Sequence, residues 1–71
     1  MINEKIATEI KEYSLRAVTE LTGIFDAMRE GVSDEDYAVI KRGVGLSIGR
    51  IQTEILDAIY RDHPDLDHLK D

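Results

Sequence analysis

The chain has 71 residues, with 15 Asp or Glu against 9 Lys or Arg, a net charge of −6 and no Cys. The absence of Cys excludes disulfide staples, thiolate zinc sites and cysteine nucleophiles, and the negative balance opposes binding to phosphate backbones and anionic membranes. No apolar run approaches the ~18 residues of a membrane span and the start, Met1-Ile2-Asn3-Glu4-Lys5, lacks signal-peptide order, so a soluble cytoplasmic single domain with no nucleic-acid or membrane partner is expected.

The first predicted element is a helix over 4–30. Ile6, Ala7, Ile10, Tyr13, Ala17, Val18, Leu21, Ile24, Phe25 and Met28 recur at spacings of three and four with no Pro among them. At 100° per residue they gather on an arc of roughly 140°, with Glu4, Thr8, Glu12, Thr19, Thr22, Asp26 and Glu30 opposite. Asn3 is placed to cap the helix. The pairs Glu12–Arg16, Arg16–Glu20 and Asp26–Arg29 are spaced for surface ion pairs worth about 0.2–0.5 kcal/mol each.

A turn over 31–33 follows. Gly31 suits a left-handed residue after a helix, and Ser33 suits the N-cap of the next one, with Asp36 in capping-box position. Val32 and Tyr37 are spaced as a hydrophobic staple. Asp34, Glu35 and Asp36 put negative charge in the first turn, where the helix dipole favours it.

The second helix is predicted over 34–62, because Pro64 disfavours helical geometry at His63. A polar tail, 63–71, remains, in which Leu66 and Leu69 can dock on the end of the fold. Two helices of matched length joined by a short turn lie antiparallel, in a register that pairs residues whose numbers sum to roughly 64. Ala17 then falls near Ser47 and Ser14 near Arg50, which predicts a narrow waist of small residues.

The apolar face of helix 2 is broad. Tyr37, Ile40, Val44, Ile48, Ile51, Ile55, Ala58 and Ile59 form a main stripe, and Ala38, Gly45, Gly49, Leu56 and Tyr60 form a second beside it. Such a face is wider than one neighbouring helix covers, and two helices alone enclose no interior to offset the entropy of ordering the chain. The fold class expected is therefore all-α: a two-helix antiparallel hairpin that dimerises into a four-helix bundle. Its helix–helix and dimer interfaces are assigned to Ala17, Leu21 and Ile24 of helix 1 and to Ile40, Val44, Gly45, Ile48, Gly49, Ile51, Ile55, Leu56 and Ile59 of helix 2.

The stretch Lys41–Arg50 holds Gly43, Gly45 and Gly49, each costing about 1 kcal/mol relative to Ala inside a helix. Close approach of another backbone to Gly45 and Gly49 is the favoured compensation, over a kink or an anion site at a broken helix beside Lys41, Arg42 and Arg50. The histidines, His63 and His68, flank Pro64 among Asp62, Asp65 and Asp67; this reads as a solvated tail rather than a metal site. Ser14, Ser33 and Ser47 have no His on the same helix faces, and Glu9, Glu20 and Glu54 read as charged flanks, so no catalytic, metal or cofactor residue is assigned. Leu15, Val39 and Leu46 fall outside the main stripes as isolated surface positions or an outer docking patch.

Together these features point to a non-enzymatic protein–protein interaction or regulatory module that pairs with itself. The alternatives are an acidic inhibitor or immunity-type protein that neutralises a basic effector, and a small-ligand or metal-binding bundle.

Overall fold

The computed structural model describes residues 2–67, and among them the fold is an all-α antiparallel hairpin. Helix α1 spans Glu4–Ala27. After a turn, the return arm runs as α2 (Asp34–Arg50), a π-helical turn (Ile51–Leu56) and α3 (Asp57–Asp62), ending in a 3₁₀ turn at Pro64–Leu66. His68 and Leu69 of the polar tail lie outside the described residues.

Local chemistry sets the element ends. The Asn3 side chain accepts from the Ile6 amide at 2.9 Å, and Ser33 Oγ accepts from the Asp36 amide at 3.1 Å. α1 stops at Ala27, short of the expected 30, and the chain turns over 28–33 with Gly31 at φ 95°, the left-handed conformation that suits glycine. Tyr37 reaches across the turn, where its ring meets Phe25 with centroids 6.4 Å apart.

The expected register holds at both ends. Phe25 meets Tyr37 near the turn, and the Ile2 amide donates to Asp62 Oδ2 at 3.3 Å at the open end, pairs whose numbers sum to roughly 64. Of the helical ion pairs, Asp26–Arg29 forms at 3.6 Å, while Arg16 lies over the Tyr13 ring, 5.2 Å from its centroid. A further pair on the return arm, Arg50–Glu54, closes at 3.1 Å.

The buried seam is thin. Its apolar members are Ala7, Met28, Val44, Leu56 and Ile59, with Ser14 the buried polar residue. The molecule measures 45 × 22 × 15 Å, which leaves no second layer over either broad face. Its radius of gyration is 15.0 Å, against about 11 Å expected for a compact domain of this length.

Two expectations for the return arm are corrected. α2 runs straight through Gly43, Gly45 and Gly49, and a Cβ built on any of them meets nothing within 4 Å, so no close-packed waist forms against α1. Gly45 and Gly49 lie about 100–140° around the helix from the buried Val44, on its flank. The irregularity comes one turn later, where the Asp57 amide donates to the Gln52 carbonyl five residues back and Thr53 Oγ1 donates to the Gly49 carbonyl at 3.0 Å.

That π turn also revises the two-stripe assignment, in which Val44 and Ile59 of the main stripe are buried but Ile55 and Leu56 exchange places. On an unbroken α-helix Ile55 would point into the seam with Val44, and Leu56 would lie about 120° away from it. A π turn carries one extra residue, which moves every later position about 100° around the axis. Accordingly Leu56, from the second stripe, is 5% exposed and Ile55, from the main stripe, is 40% exposed.

Candidate functional site

The residues assigned to interfaces divide into three groups. Val44, Leu56 and Ile59 are buried in the seam between the arms; Leu21, Ile24, Ile48, Gly49 and Ile51 are half-buried; Ala17, Ile40, Gly45 and Ile55 are exposed in the single chain. The structure thus gathers the first group and leaves the last on the surface.

The open end of the hairpin carries a polar clasp that the sequence did not reveal. His63 Nε2 donates to the Ile2 carbonyl at 2.6 Å, beside the bond from the Ile2 amide to Asp62. The Lys11 ammonium donates to the Leu66 carbonyl at 2.5 Å and stands 6.0 Å from the Tyr60 ring centroid. Burial pushes the Tyr60 hydroxyl above the usual tyrosine range, and the carboxylates of Asp67 and Asp57 raise it further. These contacts pin the 3₁₀ turn and half-buried Leu66 against α1.

Two surface grooves accompany the clasp. One, of about 360 Å³, is lined by Leu15, Gln52, Thr53, Leu56, Asp57, Tyr60 and Asp67; the other, of about 450 Å³, runs along the back of α1 past Glu12, Leu15, Arg16, Thr19 and Glu20. Leu15, which the sequence left as an isolated apolar position, therefore borders both. Both grooves are open to solvent rather than enclosed.

The remaining candidates have local roles. Ser33 Oγ is a helix cap, and Ser47 Oγ donates to the Gly43 carbonyl at 2.8 Å within its own helix. Glu54 is paired with Arg50, and Glu9 and Glu20 are exposed. His63 is held at the chain start, and among the described residues no group of three or more His, Asp or Glu could hold a metal ion. Among the same residues, no helix is long and apolar enough to cross a membrane. The chain has no significant match among protein-family models, curated proteins or solved structures.

Proposed function

We propose that this chain is a non-enzymatic interaction module that works in the cytoplasm as a homodimer, two hairpins making a four-helix bundle. The observation that carries this is surface area. The 8.0 kDa chain exposes 5591 Å². The area–mass scaling of folded monomers gives about 4,450 Å² for that mass, a surplus of about 1,100 Å² per chain. One partner's share of a standard protein–protein interface is about 800 Å², so the surplus is large enough to supply it. A thin seam points the same way, because few apolar side chains offset the entropy of ordering the chain.

Sedimentation equilibrium between about 1 and 100 µM tests this, a range that brackets Kd values typical of weak to moderate association. The expected mass is twice 8.0 kDa; a folded species of 8.0 kDa throughout sinks the proposal. A second reading, an acidic inhibitor of a basic effector, draws support from the turn, where Glu30, Asp34, Glu35 and Asp36 are all exposed. A pull-down from the native cell separates the two. A basic protein released by raised salt favours the inhibitor, and recovery of tagged and untagged copies of this chain alone favours the dimer.

A further inference from the structure

A hairpin has two broad faces, and the side chains on them are distinguishable here. On α1, Ile6, Ile10, Tyr13, Ala17 and Ile24 lie between about 40° and 100° to one side of the buried Ser14, while Lys11 and Leu15 lie on the other side. On the return arm, Ile40 and Ser47 lie about 40–60° from the buried Val44 on the first face, while Lys41, Gly45 and Gly49 lie on the second. The second face is also where Leu15, Lys11 and Tyr60 meet and where the 3₁₀ turn crosses.

The faces differ in what a partner would have to desolvate. The second holds Lys11 and Lys41, with Asp57 and Asp67 lining its groove, and part of it is already covered by the chain's own end. The first has no charged residue positioned in the arc from Ile6 to Ile24 on α1 or from Ile40 to Ile55 on the return arm, although the Arg16 guanidinium folds over the Tyr13 ring from outside it. Glu20 and Arg50 stand just outside that arc, at the flanking positions where helical bundles carry charge. The π turn completes this face by rotating Ile55 out of the seam toward it. Tyr13, at the outer edge of the arc, is 68% exposed.

We infer that a second copy of this chain seats on the first face, covering Ile6, Tyr13, Ala17, Ile40, Ile51 and Ile55, and that the glycine-bearing face stays in solvent. This rests on the homodimeric reading and specifies its geometry. The chain's surplus area is enough for one such interface, and the arc free of charged positions is where that area can be buried with the least desolvated charge, Arg16 swinging off the Tyr13 ring toward solvent.

The test is light scattering with size exclusion on the wild type, Tyr13→Glu and Gly45→Glu, with circular dichroism to confirm folding. The wild type and Gly45→Glu are expected to run as dimers, and Tyr13→Glu as a folded monomer with association weakened at least about tenfold. Tyr13→Trp gives a second readout that needs no loss of assembly: its emission is expected to be blue-shifted and shielded from iodide in the dimer, with Leu46→Trp quenched freely. A wild-type dimer that Gly45→Glu breaks and Tyr13→Glu spares overturns the face while the dimer stands, as does a freely quenched Trp at position 13. A folded wild-type monomer, or an assembly larger than two, overturns the homodimeric reading itself.

Discussion

The two ends of the hairpin are held by different means. At the open end Ala7, Leu56 and Ile59 are buried, the chain start is bonded to Asp62 and His63, and Lys11 ties down the 3₁₀ turn. At the turn end every residue from 29 to 43 is exposed, and the Phe25–Tyr37 ring contact joins the arms near buried Met28 and Val44. The difference follows from what each end can bury. The turn end concentrates Glu30, Asp34, Glu35 and Asp36, which stay in water, whereas the π turn at the other end brings Leu56 and Ile59 into the seam together. Caps and backbone geometry hold the turn; packing and side-chain bonds hold the open end.

The largest test of that contrast is Ile59→Ala, which removes the side chain that is 1% exposed in the clasped end. A loss of about 2–5 kcal/mol is expected, read as a fall in urea midpoint or melting temperature at fixed protein concentration. A loss below about 1 kcal/mol would show that the seam does not carry the stability placed on it here. At the turn, Gly31→Ala forces a side chain into a backbone at φ 95° and is expected to cost about 1–2 kcal/mol, without changing hydrogen-exchange protection of the amides at the open end.

Gly45→Ala should act in the opposite direction. A Cβ there meets nothing within 4 Å, so the substitution is expected to stabilise by about 0.5–1 kcal/mol through helix propensity. Destabilisation in a thermal melt would place a close neighbour on the glycine face. The smallest effect concerns Tyr60 at the clasp. Its folded pKa lies above the unfolded value of 10.0, so its contribution is fully present below that pH and is lost as pH rises through the folded value. Alkaline melts are expected to show a decline above pH 10 that Tyr60→Phe removes.

The hairpin itself was legible in the sequence, because its signals are local. The caps at Asn3 and Ser33, the left-handed Gly31 and the spacing of apolar residues each act over a few positions, and the turn they define sets the register that pairs Ile2 with Asp62. The π turn was not legible. Whether Ile55 or Leu56 enters the seam depends on a change of helical phase at Ile51–Leu56, made where Thr53 bonds back to Gly49 and α1 supplies the opposing surface. The same holds for the terminal clasp, since His63 and Lys11 meet Ile2 and Leu66 from opposite ends of the chain. Helix, cap and register were thus determined by the sequence, through interactions within a turn or two; which apolar stripe turned inward and which face stayed bare was decided only by the tertiary structure, where one extra residue in a turn rotates everything after it.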